Sequence, residues 1–195
     1  MEADWEVEFG GDSAVIDPLW TGFIDLRLEP DRVNEISETR DFPPLGAALL
    51  RLNTENSPVW TAKCDFWLQL EPETWDPDEM EADASDALNA TGCYIDLLAR
   101  NPARWKSPEQ AEHDCRTLCQ RFRIIHLNRC RTDLIVRKAW FDGNLGSHGI
   151  TAYITACGPS PQAAAAQLAE SLAVWADAVL KLPSCPAQAG NSTVQ

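Results

Sequence analysis

Four aspartates occupy the middle of four segments whose composition predicts β-strands. They are Asp25, Asp65, Asp96 and Asp133. Neighbouring carboxylates raise one another's pKa, so a cluster of them could supply a general acid and a general base. Arginines nearby could instead neutralise these carboxylates or bind an anionic substrate through paired hydrogen bonds. Both interpretations require the aspartates to share one face of a sheet.

A second group of side chains has donor types that suit zinc. Cys115 and Cys119 are four positions apart, and His126 and Cys130 repeat that spacing. However, Cys115 falls in the apolar stripe of a predicted helix and Cys119 lies beside it, where cysteine commonly packs as a small hydrophobic residue. The spacing matches no known zinc signature. We therefore predict no metal ion and no cofactor.

Other catalytic motifs do not match. Gly146-Ser147-His148-Gly149 departs from the Gly-x-Ser-x-Gly pattern of serine hydrolases and lies in a predicted hairpin loop. Cys64 beside Lys63 has the setting of a reactive thiol, but packing is the simpler role for it. The absence of a matching motif favours a protein that is not an enzyme over an enzyme, without deciding between them.

Composition and charge restrict the class of protein. The chain has 195 residues, 45% apolar and 24% charged, which favours one globular domain over 1–195. The acidic N-terminus does not resemble a signal peptide, no apolar run approaches the roughly 20 residues of a membrane span, and the seven cysteines form no disulfide pattern. These features predict a cytoplasmic protein with reduced thiols.

The acidic charge is concentrated in one half of the chain. The formal net charge is −14, with −17 in residues 1–90 and +3 in the rest. Such a chain repels the phosphates of nucleic acids and anionic membranes, so we expect neither as a partner. The two halves could pair within the fold, or the acidic half could face a basic partner.

The elements that position these residues can be predicted from residue patterns. Alternation predicts strands at 5–9, 20–28, 60–70, 93–100, 131–141 and 150–157. Helical spacing with Ser-Pro or Pro-Pro starts predicts helices at 43–53, 107–122 and 160–182. The acidic stretch at 71–90 is predicted to be a solvated linker or a loosely helical surface loop, 142–149 a Gly-rich hairpin loop and 183–195 a frayed tail.

A weak internal repeat suggests the arrangement of these elements. Thr-Gly-Phe-Ile-Asp-Leu-Arg at 21–27 resembles Thr-Gly-Cys-Tyr-Ile-Asp-Leu at 91–97, and a Pro-x-Arg and a helix follow each. This predicts an α+β fold with an antiparallel or mixed sheet and helices packed on one face. Two tandem strand–helix–strand units, at 20–70 and 90–141, would be arranged as in ferredoxin-like domains, followed by a C-terminal hairpin strand and helix at 150–182.

Strand alternation predicts which side chains lie on the helix-covered face of the sheet and which lie on the open face. Apolar residues, Leu28 and Leu68 among them, should point to the helices. The open face should carry Asp25, Arg27, Lys63, Asp65, Trp67, Tyr94, Asp96, Arg100, Arg131, Asp133 and Arg137.

We expect a binding protein that uses this face for a protein partner or for self-association as a homodimer. Trp67 and Tyr94 would be its anchors, because aromatic residues concentrate binding energy. The alternative is a small-molecule enzyme with acid–base aspartates and arginines on the same face. A concave, partly apolar site would favour the enzyme, and a flat charged one the binding protein.

Overall fold

The protein has an α+β fold built on a five-stranded mixed sheet. The computed structural model describes residues 1–8, 13–141 and 144–183. The strands are β1 (Glu2–Val7), β2 (Val59–Trp67), β3 (Asn89–Ala99), β4 (Cys130–Phe141) and β5 (Asn144–Gly158). Their order across the sheet is β1-β4-β5-β3-β2. β1 pairs with β4 in parallel, and the other neighbours are antiparallel.

Four α-helices accompany the sheet in the described residues. They are α1 (Ser37–Asp41), α2 (Pro43–Leu52), α3 (Pro108–Arg123) and α4 (Pro161–Leu180). Three short 3₁₀ helices lie at Pro30–Glu35, Pro72–Thr74 and Asp78–Met80. The starts of α3 and α4 follow the predicted signals, since each has proline in its first turn and Ser160 accepts a hydrogen bond from the Ala163 amide.

The main core lies between the helices and one face of the sheet. α4 packs on β5 and β3, α3 on β1, and α2 against α4. Alternate strand residues such as Ile95, Leu97 and Leu134 are fully buried in this layer, as their apolar character predicts. The opposite face carries no α-helix in the described part of the chain.

Helix α4 is long and apolar enough to cross a membrane by length and composition alone, although no apolar run of that kind was expected. Half of its most apolar window is buried inside the protein. The core helix of a globular domain has the same properties, and the packing of α4 on the sheet accounts for them.

The predicted strand at 20–28 is wrong. This segment consists of turns: Gly22 has φ +96°, Phe23 N–H donates to Trp20 O, and Glu29 N–H donates to Asp25 O. The Asp25 carboxylate also accepts the Arg27 amide at 3.0 Å, a local bond that competes with strand pairing. Leu28 is consequently 79% exposed instead of buried.

Without that strand the first of the two proposed repeat units loses its counterpart to β3. The two tandem repeats and the ferredoxin-like arrangement are therefore not confirmed. The predicted apolar position Leu68 is also wrong, because β2 ends at Trp67 and Leu68 is 63% exposed.

Two connecting segments also differ from prediction. β5 begins at Asn144, so most of the expected hairpin loop is strand, and His148 pairs with Lys138. The acidic stretch 71–90 contains two 3₁₀ helices, which is nearer to the loosely helical loop than to the solvated linker, but it also packs Met80 and Trp75 against the sheet. Positions 9, 142 and 143 and the tail beyond 183, where further expectations fell, lie outside the described residues.

Candidate functional site

The helix-free face is organised in three rows of side chains that cross all five strands. The strand registers align them from β1 to β2. One row is Glu2, Arg131, Thr155, Gly92 and Trp67; the next is Asp4, Asp133, Tyr153, Tyr94 and Asp65; the third is Glu6, Ile135, Thr151, Asp96 and Lys63. Outer strand axes of a five-stranded sheet are about 19 Å apart, so each row forms a strip of that length.

Three aromatic rings extend across this face from the central strand β5 to the edge strand β2. The ring centroids of Trp67 and Tyr153 are 6.5 Å apart with their planes 9° from parallel. The Tyr94 ring completes a triangle with them, its centroid 5.8 Å from each of the other two. All three side chains are half-buried, so their exposed parts form a continuous aromatic surface, the aromatic floor of this face.

A buried carboxylate lies beside the rings. Asp96 is 6% exposed and accepts a hydrogen bond of 2.6 Å from the Thr151 hydroxyl. Arg137 donates to the same Thr151 oxygen at 3.3 Å and points toward the Tyr153 hydroxyl at 3.5 Å. Burial raises the pKa of Asp96, although the Thr151 hydrogen bond and the charges of Arg137 and Lys63 oppose that shift.

Ion pairs border the face on the β1 side. Arg131 pairs with Asp133 and with Glu79 at 2.7 Å each, and Arg137 pairs with Glu8 at 2.7 Å. The carboxylates nevertheless outnumber the cations. The three rows and the adjoining ends of β1 and β4 carry Glu2, Asp4, Glu6, Glu8, Asp65, Asp96 and Asp133 against Lys63, Arg131 and Arg137.

Two small apolar clusters cover the ends of the face. At one end Ile16 packs over Leu98 and Ala139 and is fully buried. At the other end Met80 packs over Ala90 and Cys157. Ala90 and Leu98 are eight positions apart on β3, or about 26 Å, so the face is a trough with walls at both strand ends.

Eight of the eleven predicted binding residues lie on this face: Lys63, Asp65, Trp67, Tyr94, Asp96, Arg131, Asp133 and Arg137. The other three are elsewhere. Asp25 and Arg27 pair with each other in the 20–28 segment, where the Arg27 guanidinium stacks 3.7 Å from the Trp60 ring. Arg100 donates to the carbonyls of residues 53, 54 and 57 after α2.

Several residues of the face were not predicted. Thr151 and Tyr153 were assigned to a strand but not to a face, and the glutamates of β1 were not included. The alternation of Thr151, Tyr153 and Thr155 with fully buried Ala152 and Ile154 carried the necessary signal. What was missing was the register that brings β5 between β3 and β4.

The four candidate zinc ligands do not come together as one group in the described part of the chain. Cys115, Cys119 and Cys130 are buried in the helix-covered core, and His126 is exposed in the loop before β4. Among the described residues no three His, Cys, Asp or Glu side chains are grouped as metal ligands. Cys64 is not activated, because burial and nearby carboxylates raise its pKa to about 12.

The trough can therefore contact a ligand through stacked rings, one buried acid and an acidic border. Comparisons of the chain with protein-family models, with curated proteins and with solved structures found no match.

Proposed function

We propose that the trough is the binding surface for a protein partner whose contact region is basic. The observation that carries this proposal is the aromatic floor formed by Trp67, Tyr94 and Tyr153 inside a border with an excess of carboxylates. Rings of this kind supply contact area at little entropic cost. The border favours a positively charged partner and rejects acidic ones.

Stability of the fold alone explains this surface poorly. The ion pairs of Arg131 and Arg137 involve carboxylates that are 36–55% exposed. Pairs with such exposure contribute about 0–1 kcal/mol each. Charge complementarity with a partner gives the arrangement a function, because it sets orientation and the rate of encounter.

Self-association through the same face is less favourable than binding a basic partner. Two copies would bring together two surfaces on which seven carboxylates face three cations, in molecules of net charge −14. A homodimer would have to offset this repulsion with the aromatic contacts. Sedimentation at low and high salt distinguishes the two cases, because a dimer of this kind would form only at high salt.

The test uses two short defined peptides, one of alternating lysine and leucine and one with glutamate in place of lysine. We expect the basic peptide to shift the amide NMR signals of β2, β3 and β5, and the acidic peptide not to bind. Trp67→Ala combined with Tyr94→Ala should abolish that binding and leave a folded protein, since neither ring is fully buried.

A matched control removes exposed apolar side chains that lie off the trough. Leu28→Ala with Ile124→Ala truncates residues that are 79% and 75% exposed, and it should leave peptide binding unchanged. Binding that survives the loss of Trp67 and Tyr94, or equal binding of both peptides, would contradict the proposal. If the double variant unfolds, the two rings belong to the core.

Two observations favour the enzymatic alternative: the concave, partly aromatic shape of the trough and the buried carboxylate of Asp96. A carboxylate with a raised pKa beside a hydroxyl, an arginine and an aromatic floor has the surroundings of a general acid or base. In that case Asp96→Asn would abolish turnover of a substrate that still binds in the trough. For a binding protein the same variant should bind its partner normally.

A further inference from the structure

A cavity lies outside the trough, along the free edge of β2. Its volume is about 430 Å³, within the range of small-molecule sites. One wall is the edge of β2 from Thr61 to Asp65, and the other consists of the turn segment after Trp20 and the residues around Ile36. The segment 20–28, which was incorrectly predicted as a strand, therefore forms part of one wall of the cavity.

The apolar part of the lining is held in place by specific contacts. The Trp20 indole N–H reaches the Ala62 carbonyl at 3.4 Å, and Phe23 packs edge-on against Trp20 with the ring centroids 6.4 Å apart. Phe23 also contacts Trp60 of the buried cluster, at 6.3 Å. Leu26, Ile36 and Leu49 complete an apolar surface large enough for a ring.

The polar part of the lining is mainly anionic. Glu35 forms an ion pair with Arg32 at 2.9 Å. Glu38 and Asp65, by contrast, form no ion pair with any residue in the described ranges. Lys63 is the only basic residue among the lining residues that the structure describes. The negative potential of these carboxylates reaches the cavity wall. Together with burial, Glu38, Asp65 and Asp96 raise the pKa of the Cys64 thiol in that wall.

We infer that this cavity binds a small organic cation, an amine with an apolar ring-sized body, with Glu38 and Asp65 matching its charge. The ring would contact Trp20, Phe23 and Ile36, and the ammonium would lie toward Asp65 and the Tyr94 hydroxyl. An ammonium near these rings also gains cation–π attraction. The site adjoins the trough surface proposed for a protein partner and shares Lys63, Asp65 and Tyr94 with it.

The test titrates phenethylammonium, its anionic analogue 3-phenylpropionate and its neutral analogue 2-phenylethanol into the full chain, followed by amide NMR. We expect phenethylammonium to shift signals of residues 61–65 and the Trp20 indole, and the two analogues to bind at least about tenfold more weakly. Glu38→Gln and Asp65→Asn should each weaken phenethylammonium by up to about fivefold, the value of one partly exposed ion pair. Glu73→Gln, which removes an exposed carboxylate outside the cavity lining, should have no effect.

A blocking variant keeps this test independent of the proposed function. Ser37 is exposed at the cavity margin, so Ser37→Phe should fill the space, abolish amine binding and leave the basic peptide bound in the trough. Trp67→Ala should do the reverse. Equal binding of 3-phenylpropionate, or amine binding that survives Ser37→Phe, would overturn the inference. Stronger binding of a capped lysine than of phenethylammonium would overturn the assignment to a free aromatic amine.

Discussion

Asp96 lies in the middle of a sheet face, yet only 6% of its surface is exposed. Burial favours the protonated form, and its pKa is raised despite the Thr151 hydrogen bond. A group whose pKa is higher in the folded state than in the unfolded state stabilises the fold fully below the unfolded pKa. That contribution is lost as the pH rises through the folded pKa.

Asp96→Asn should therefore change the pH dependence of stability. The amide keeps the shape and can still accept the Thr151 hydroxyl, but it carries no charge to desolvate. We expect the difference between the unfolding free energies of the variant and the unmodified protein to grow in favour of the variant as the pH rises above about 4, and then to level off. Urea unfolding across this range measures it, with Asp133→Asn as the more exposed control. A relative stability that falls as the pH rises would show that the cations more than offset burial.

The sequence pattern predicts the position of some residues of the site and not of others. Asp65, Asp96 and Asp133 lie on one face of the sheet, because each lies in a strand whose apolar neighbours alternate with it. Asp25 has the same sequence neighbourhood as Asp96, but its carboxylate accepts the Arg27 amide and stabilises a turn. Local hydrogen bonding decided between turn and strand there, and the pattern of side chains does not report it.

The end of the trough that Ile16 covers depends on a close approach of this residue to β5. Gly149 lies beneath Ile16, where an added Cβ would be 2.7 Å from Ile16 Cδ1 and 2.7 Å from the Leu97 carbonyl oxygen. The Val15 and Ile16 amides donate to Lys138 O, and Trp140 N–H donates to Ile16 O. The wall is thus attached to β4 by backbone hydrogen bonds and fitted over a glycine.

Gly149→Ala should loosen this wall. Because the Leu97 carbonyl cannot move away as a flexible side chain would, we expect a loss of about 1–3 kcal/mol of stability. Hydrogen exchange at Ile16 and Trp140 should also become faster. Gly92→Ala is the matched control in the same sheet, since its Cβ would meet nothing closer than 3.3 Å. Unchanged exchange at Ile16 would contradict the predicted role of Gly149.

A buried ion pair connects three other elements. Arg104, 4% exposed, donates to both carboxylate oxygens of Asp114 at 2.7 and 2.9 Å, and the Trp105 indole N–H donates to the same carboxylate at 2.7 Å. Arg104 also donates to the Pro183 carbonyl. The segment before α3, α3 itself and the chain after α4 therefore meet at one charged group.

Asp114→Asn should destabilise the protein strongly. It leaves the Arg104 guanidinium buried without its counter-charge, which costs about 3–5 kcal/mol. Glu112→Gln breaks the pair with Arg116, which is 56% exposed, and should cost less than about 1 kcal/mol. Chemical denaturation of the two variants measures the difference. Similar losses for both would show that the Asp114 pair is not effectively buried.

The elements themselves were predicted unevenly. The starts of α2, α3 and α4 were predicted from proline and serine, because helix N-termini have strong local signals. The 20–28 segment was wrong because its turn depends on Gly22 at positive φ, which a β-rich composition conceals. The parallel pairing of β1 with β4 depends on contacts more than 120 positions apart, which no local pattern encodes.

For the molecule as a whole, the dominant feature is the uneven charge. Residues 1–90 carry a net charge of −17 and supply β1, the cavity wall and the acidic segment at one end of the trough. The remaining residues carry +3, and their arginines pair with the acidic half at Glu8, Glu79 and Asp86. Some acids of the first half are thus paired with arginines of the second half within the fold, and the excess of acids is the charge that the proposed basic partner would meet.

Added salt should consequently stabilise the protein. Screening weakens the exposed ion pairs, but these contribute about 0–1 kcal/mol each, whereas repulsion acts among all the uncompensated carboxylates over a Debye length of about 10 Å at 0.1 M salt. We expect the melting temperature to rise as sodium chloride increases from low concentration to about this level. Glu71→Gln, Glu73→Gln and Asp76→Asn together should raise the melting temperature at low salt and reduce its salt dependence, since these carboxylates form no ion pair with a described residue. A melting temperature that falls with salt would mean that the ion pairs outweigh the repulsion, and the excess negative charge would then be too weak to select a basic partner.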